Sequence, residues 1–219
     1  MATHRKRVAV LISGRGSNLA ALLEAVRAED YPAEIALVIS NRPNALGLDR
    51  ASAAGVATLV VDHTRFGKDR AGFETALQKE LEARAIDLVC LAGFMRLLTE
   101  EFVERWRGRM INIHPALLPS FRGLDTHARA LAAGVKLHGA TVHFVVPEMD
   151  GGEIIAQGAI PVRDDDTEDT LAARVLAVEH RIYPIALRLL AQGKLRLENG
   201  RCRIEGTASV DTMLLVPDV

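Results

Sequence analysis

The segment VAVLISGRGSNLAALLEAV, residues 8–26, is the clearest indication of the fold class. Its first five residues form an apolar run that is typical of a buried strand. A short segment with two glycines follows, and leucines at helical spacing then predict a helix over residues 17–28. A strand, a glycine-containing turn and a helix in this order are the first unit of a sheet that helices cover.

Short apolar runs and helical stretches continue to alternate through the first half of the chain. The predicted strands cover residues 35–39, 57–61 and 88–91, and the predicted helices cover residues 46–54 and 73–84. This alternation predicts a parallel sheet with helices on both faces. The fold class is therefore α/β and Rossmann-like, with a mostly parallel central sheet flanked by helices and antiparallel strands in the C-terminal half.

The second half of the chain changes character. Thr99 is the predicted N-cap of a helix over residues 100–106, and residues 110–113 form another predicted strand. The proline- and glycine-containing segment 114–124 is predicted to be irregular and functional. The remaining predictions are strands at 140–146 and 154–162, a helix at 167–191 capped by Asp166 and kinked or interrupted at Pro184, a stop at Gly193, and a hairpin at 195–204 around Asn199-Gly200.

The composition restricts the classes of function. The 219 residues are 49% hydrophobic and 25% charged, with a formal net charge of -1. This balance does not indicate a broad nucleic-acid or membrane surface, so an anionic substrate must be met by a local site. Cys90 and Cys202 are too few for a disulfide framework, which favours a reducing, cytoplasmic setting. We expect one domain over residues 1–219, with halves at about 7–110 and 111–205 and a tail at 206–219.

The segment Ser13-Gly14-Arg15-Gly16-Ser17-Asn18, hereafter the phosphate loop, joins the first predicted strand to the first helix. Glycines let the backbone approach an anion, and a helix N-terminus offers unpaired N–H groups. A dinucleotide fingerprint needs a third glycine where this chain has Leu19, so a terminal monophosphate fits better. A tight turn that binds no ligand is the alternative.

Asn112 and His114 form the most informative pair of polar residues. Residues two apart on a strand face the same way, and this pair ends a strand of a predicted α/β sheet, where ligands bind. An amide donor beside a histidine suits carbonyl chemistry. A structural polar pair at a strand end is an equally good interpretation of these two residues alone.

Asp150 lies in the turn-like stretch Met149-Asp150-Gly151-Gly152 between two predicted strands. A turn residue is the simple interpretation, and the sequence does not place Asp150 beside His114. A carboxylate near a histidine would raise the histidine pKa. The run Asp164-Asp165-Asp166 suits a helix start better than a metal site, so we predict no metal.

Three blocks resemble the folate-dependent formyltransferases over residues 8–193. The blocks are LISGRGSN at 11–18, LAGFMRLL at 91–98 continuing to NIHPALLP at 112–119, and HFV at 143–145 through DGG at 150–152. The last two are shared across the wider group, which includes deformylases and methionyl-tRNA formyltransferases. The first block and the chain length favour the phosphoribosylglycinamide formyltransferases, without the regulatory domain of deformylases or the C-terminal barrel of the tRNA enzymes.

The resemblance implies a role for each matching residue. Asn112 and His114 would act on the formyl group, with Asp150 paired to His114 directly or through water. Gly16, Ser17 and Asn18 would hold the ribonucleotide phosphate, and Glu179 the ribose hydroxyls. The folate would be held by Arg70 at its glutamate tail, by Asn112 and Asp150, and by two segments around the pterin ring: Met95, Arg96, Leu97 and Leu98, then Val146, Pro147, Glu148 and Met149.

The activity implied by the resemblance is transfer of the formyl group of 10-formyltetrahydrofolate to the amine of glycinamide ribonucleotide in purine biosynthesis. The implied partners are these two small molecules, with no nucleic acid, membrane or metal, and the implied state is a monomer or weak homodimer. Alternatives are a formyltetrahydrofolate deformylase, a non-catalytic nucleotide-binding regulator and an enzyme formylating a nucleotide-linked amino sugar. Ala116 and Phe121-Arg122-Gly123 depart from the family pattern in a loop that we expect to be mobile.

Overall fold

The computed structural model describes residues 5–206 and 214–216. The predicted tail therefore lies mostly outside the described residues. The elements, in chain order, are β1 Lys6–Ile12, α1 Ser17–Ala25, β2 Ala33–Ser40, α2 Leu46–Ala53, β3 Thr58–Val60, α3 Arg70–Ala83, β4 Leu88–Leu91, α4 Glu100–Arg105, β5 Met110–His114, α5 Thr126–Ala132, β6 Leu137–Phe144, β7 Ile154–Pro161, α6 Glu168–Ala191, β8 Leu195–Glu198 and β9 Arg201–Ile204.

A seven-stranded sheet organises the molecule in the order β3-β2-β1-β4-β5-β6-β7. Strands β1 to β5 pair in parallel, whereas β6 pairs antiparallel with β5 and β7 antiparallel with β6. Strands β8 and β9 form a separate hairpin, with Asn199 and Gly200 both at positive φ in its turn. The predicted α/β class, the mainly parallel sheet and the antiparallel C-terminal strands are confirmed.

Buried side chains form a core on each face of the sheet. In β1, Val8, Val10 and Ile12 pack with α1 and α6, and the alternate residues Ala9 and Leu11 pack with α3 and α4. All five are fully buried, which explains why β1 is an uninterrupted apolar run.

The carboxyl ends of β1, β4 and β5 are level with one another. Leu11 pairs with Leu91, and Leu91 pairs with Asn112. The segments that follow these strands therefore emerge together at one edge of the sheet. They are the phosphate loop, residues 92–98, and the irregular segment after His114.

Two local predictions are corrected, and one helix was missed. The N-cap of α6 is Thr167, because its hydroxyl accepts from the Thr170 N–H while the Thr170 hydroxyl accepts from the Thr167 N–H; Asp166 instead accepts from the Arg163 N–H. Helix α6 is not interrupted at Pro184, since the buried side chains of Tyr183 and Leu187 hold it against the sheet. Helix α5 was not predicted at all.

Tyr183 links α6 to the ends of two strands. Its side chain is fully buried, and its hydroxyl lies 2.9 Å from the carbonyl oxygen of Leu91 and 3.2 Å from that of Ile111. Burial raises the pKa of Tyr183 well above its usual value, so the hydroxyl stays protonated and donates. The hydroxyl therefore ties β4 and β5 together from one face.

Replacement of Tyr183 by Phe is expected to lower the free energy of unfolding by about 1–3 kcal/mol, because buried carbonyl groups lose a donor. Urea denaturation followed by circular dichroism measures the change. Ile185→Ala alters an exposed side chain of the same helix and is expected to stay within about 0.5 kcal/mol of the parent. Equal stability of Tyr183→Phe and the parent protein would contradict the linking role.

Candidate active site

Asn112 and His114 lie on one face of β5, as the strand periodicity predicts. The antiparallel pairing places His143 opposite Asn112 and Thr141 opposite His114. His114 is only 5% exposed, whereas Asn112 is half-buried. Asn112 is thus paired with both β4 and β6, and His114 is paired with β6, so the pair is not part of a flexible segment.

Asp150 reaches this pair from the connection between β6 and β7. Its Oδ2 atom lies 3.5 Å from Nδ1 of His114 and accepts a 2.8 Å hydrogen bond from the Gly123 N–H. Asp150 adopts a left-handed backbone conformation with φ of 50°, and such conformations in non-glycine residues occur often at functional sites. The structure therefore brings Asp150 and His114 together, although 36 residues separate them.

The hydrogen bonds of His114 indicate where its protons lie. Nε2 is 3.0 Å from the carbonyl oxygen of Phe121, and because a carbonyl only accepts, Nε2 carries a proton. Nδ1 faces the Asp150 carboxylate, which also accepts. The ring is therefore held between two acceptors, one facing each nitrogen.

His143 is a further residue of the cluster that the sequence reasoning missed. Its Nδ1 lies 2.8 Å from the carbonyl oxygen of Phe144, so Nδ1 is protonated, and Nε2 accepts from the Asn112 amide nitrogen at 3.2 Å. Burial lowers the pKa of His143 despite the Asp150 carboxylate 3.7 Å away, so the ring is neutral at pH 7. His143 thereby fixes which way the Asn112 amide points. The sequence shows His143 on the strand that follows β5 in the sheet. Only the register of β5 with β6 shows that His143 lies opposite Asn112.

The phosphate loop lies where the sequence predicts, at the start of α1. Gly16 occupies the N-cap position with φ of 70°, and no side chain caps the helix. A Cβ on Gly16 would lie 2.6 Å from the Cα of Gly47 in α2, so only glycine fits this left-handed, closely packed position. The uncapped first turn leaves backbone N–H groups of the kind that bind phosphate.

Asn18 and Glu179 meet beside the phosphate loop. The Asn18 amide donates to Oε2 of Glu179 at 2.6 Å, and both side chains are less than a tenth exposed. Burial raises the pKa of Glu179, which the Asn18 hydrogen bond only partly offsets. The Oδ1 atom of Asn18 is buried without a partner among the described residues, which marks a polar group that a ligand can satisfy.

The proposed folate segment after β4 exposes apolar side chains. Met95 is 61% exposed and Leu97 is 55% exposed, so neither belongs to the core, whereas Leu98 packs against the core beside α3 and α4. The Arg96 guanidinium lies 6.0 Å from the centre of the Phe73 ring. Arg70 is exposed at the first position of α3, one turn before Phe73, which places both arginines beside the same helix end.

The second proposed folate segment, Val146 to Asp150, exposes Pro147, Glu148 and Met149. Glu148 forms an ion pair with Arg122. The arginine belongs to the segment 115–125, which the structure also fastens through the Gly123–Asp150 bond. The loop that departs from the family pattern is therefore bonded to the second proposed folate segment, beside Asp150 and His114.

The described residues contain neither a group of metal ligands nor a membrane-spanning helix. Among residues 5–206 and 214–216, no three or more His, Cys, Asp or Glu side chains are grouped as metal ligands. No helix in the same part of the chain combines the length and apolar character needed to cross a bilayer.

Comparisons with known proteins give relatives along most of the chain. A trifunctional purine biosynthetic protein adenosine-3 from Bos taurus is 52% identical over 198 residues, which are 90% of this chain but 20% of that protein. This chain thus spans about a fifth of the length of such trifunctional relatives. The phosphoribosylglycinamide formyltransferase of Escherichia coli (strain K12) is 42% identical over 199 residues, covering 91% of this chain and 93% of the relative.

Solved structures agree with these relatives. Glycinamide ribonucleotide transformylase 1 from Symbiobacterium toebii superposes with a TM-score of 0.88 at 48% identity, covering 92% of this chain and 94% of that one. A formyltetrahydrofolate deformylase from Pseudomonas syringae pv. tomato shares the fold at a TM-score of 0.86 but only 26% identity, over 93% of this chain and 67% of that one.

A family model described as formyl transferase matches residues 6–187. The match includes the phosphate loop, both proposed folate segments and the cluster around His114. The chain belongs to the formyl transferase family.

Proposed function

We propose that the protein transfers the formyl group of 10-formyltetrahydrofolate to the primary amine of glycinamide ribonucleotide, N1-(5-phospho-D-ribosyl)glycinamide, in purine biosynthesis. The observation that carries this proposal is the position of two sites on one edge of the sheet. The phosphate loop follows β1 and leads into the uncapped helix α1. The cluster of Asn112, His114 and Asp150 lies at the end of β5, which is level with the end of β1. A substrate that holds a phosphate at one end and an amine at the other fits this arrangement.

The acceptor is selected at the phosphate loop. The N–H groups at the start of α1 and the Ser17 hydroxyl bind the phosphate, with Gly16 allowing close approach. The Glu179 carboxylate accepts from ribose hydroxyls, and the unsatisfied Oδ1 of Asn18 offers a further acceptor. A sugar phosphate thus has anion-binding donors at one end and hydroxyl-binding acceptors beside them.

The formyl donor lies against the exposed apolar residues of the segment after β4. Met95 and Leu97 provide apolar contacts for a flat ring, and backbone groups of this segment and of residues 146–150 provide hydrogen bonds. Arg70 and Arg96 place positive charge beside the end of α3, where the glutamate carboxylates of a folate are stabilised. The residues present therefore fit a folate.

In the reaction, the amine nitrogen of the acceptor bonds to the formyl carbon and gives a tetrahedral intermediate. Asn112 donates to the oxygen that becomes negative, through the amide hydrogen not used by His143. The His114 ring is the second donor, and its Nε2 proton becomes available when the substrate oxygen replaces the Phe121 carbonyl. The bond from the formyl carbon to N10 then breaks, and the proton lost by the amine moves to N10.

Asp150 acts through His114. Its carboxylate lies 3.5 Å from Nδ1, orients the ring and directs Nε2. Proximity of two bound substrates supplies much of the rate, so no covalent enzyme intermediate is required. We further propose a cytoplasmic monomer or weak homodimer, which is compatible with the free thiols of Cys90 and Cys202.

A spectroscopic assay of 10-formyltetrahydrofolate consumption tests the proposed activity. Consumption is expected only when glycinamide ribonucleotide is added, with formylated ribonucleotide as the product. Formate release without the ribonucleotide would instead identify a deformylase. Binding of both compounds with no consumption at any pH would identify a non-catalytic regulator.

Asp150→Asn keeps the shape of the side chain and removes its charge. We expect kcat to fall about 10²-fold or more, because the negative charge beside Nδ1 that orients the His114 ring is lost. The kcat of His114→Ala is expected to fall at least as far as that of Asp150→Asn. Steady-state kinetics measure both, with Asp165→Asn, an exposed carboxylate, as the matched control. A kcat for Asp150→Asn equal to that of the control would remove the proposed role.

Glu179→Gln is expected to raise the KM for the ribonucleotide and to change how stability depends on pH. Because burial raises the pKa of Glu179 above 4.5, the folded state retains this proton longer than the unfolded state as pH rises. The parent protein therefore loses stability relative to Glu179→Gln from about pH 4.5 upwards, through the raised pKa. Urea denaturation of both proteins from pH 4 to 8 measures the difference. A difference that does not grow with pH refutes the assignment.

A further inference from the structure

A buried hydroxyl joins the phosphate loop to the segment that exposes Met95 and Leu97. Ser13, the first residue of the phosphate loop, is 6% exposed, and its Oγ accepts from the Met95 N–H at 2.8 Å. The Ser13 N–H also donates to the Gly93 carbonyl oxygen at 3.1 Å. Two hydrogen bonds from one residue therefore cross from the acceptor site to the folate site.

A third loop fixes the direction of this hydroxyl. The Ser13 O–H donates to Oδ1 of Asn41 at 2.6 Å, and Asn41 is 1% exposed at the end of β2. His63 donates from Nδ1 to the Asn41 carbonyl oxygen at 2.8 Å, which holds Asn41 in place. Because the hydrogen of Ser13 is used by Asn41, its oxygen lone pairs face the Met95 N–H and accept from it.

The energetic consequence follows from burial. If either loop shifts alone, the Ser13 oxygen and the Met95 N–H separate, and the buried Ser13 hydroxyl loses a hydrogen-bond partner. The two loops therefore keep their relative arrangement most easily when both are in place. A ligand that orders one loop lowers the cost of ordering the other.

We propose that Ser13 is a positioning residue that couples the two substrate sites, so that ligands on the phosphate loop and on residues 93–98 each strengthen the binding of the other. The inference rests on the proposed function for the identity of the two ligands. Ser13 does not contact the reacting atoms in this account. It acts by linking the loop that selects the acceptor to the loop that holds the formyl donor.

Ser40 provides a matched control. It is fully buried at the end of β2, the neighbour of β1, and its Oγ donates to the Arg42 carbonyl oxygen at 2.7 Å and accepts from the Arg42 N–H at 3.0 Å. Ser40 and Ser13 thus have equal hydroxyl bonding and similar burial. The Ser40 bonds stay within one turn, whereas the Ser13 bonds connect separate loops.

The test is a coupling factor measured by titration calorimetry on the full chain. The factor is the Kd of glycinamide ribonucleotide alone divided by its Kd in saturating tetrahydrofolate. We expect about fivefold or more for the parent protein and for Ser40→Ala, and a clearly smaller factor for Ser13→Ala, which keeps only the backbone bond to Gly93. A parent factor of one, a Ser13→Ala factor equal to the parent's, or an equal loss in Ser40→Ala would each overturn the proposal.

A second measurement uses only the parent protein, so it tests the proposal even where Ser13→Ala does not fold. Ribose 5-phosphate is used as a probe of the phosphate loop, and hydrogen exchange is followed in residues 93–98. We expect slower exchange of the Met95 amide with the probe bound, and unchanged exchange overturns the coupling. Since ribose 5-phosphate and tetrahydrofolate report coupling without any reaction, failure of formyl transfer to glycinamide ribonucleotide would reject the proposed function separately.

Discussion

The level ends of β1, β4 and β5 are the constraint on which the site depends. Leu11, Leu91 and Asn112 are consecutive partners across three parallel strands. Parallel pairing fixes these ends at one height, and β1 has no freedom to slip, since a one-residue shift would exchange the two core faces of its fully buried residues 8–12. The Tyr183 hydroxyl adds a fixed point at two of the three ends. The sheet therefore sets the relative positions of the loops that follow these three strands.

The cluster around His114 adds an electrostatic requirement to that geometry. The Asp150 carboxylate lies 3.5 Å from Nδ1 of His114 and 3.7 Å from Nε2 of His143. Burial lowers the pKa of His143 despite this nearby charge, whereas each nitrogen of the His114 ring faces an acceptor. His143 orients the Asn112 amide, and Nε2 of His114 is a second donor. In the proposed reaction, Asn112 and His114 are therefore the donor pair for the developing oxyanion.

The sequence predicts the parts of this protein that are governed by local pattern. Strand β4 is predicted residue for residue, the Thr99 cap is found at α4, and Asn112 and His114 share a face because they are two apart. The parts governed by tertiary contacts were not accessible from pattern. Asp150 looks like any turn residue until β6 and β7 are paired, and His143 has no role until its register with Asn112 is known. Pro184 would end a solvent-exposed helix, but here the burial of its neighbours stabilises the helix beyond it. Only the family resemblance joined Asp150 to His114 in advance.

The division of labour between elements explains how related proteins can share one chemistry and differ in acceptor. The groups proposed to act on the formyl carbon belong to β5, β6 and the connection to β7, whereas the groups proposed to hold the acceptor belong to the β1–α1 turn and α6. A change of acceptor therefore requires new residues at the first turn and leaves the cluster around His114 intact. Ser13 connects these two sets of residues, because its hydroxyl belongs to the phosphate loop and accepts from the Met95 N–H in the proposed folate segment. In the proposed reaction, the phosphate loop thus selects the acceptor, and its first residue connects this loop to the segment proposed to hold the donor.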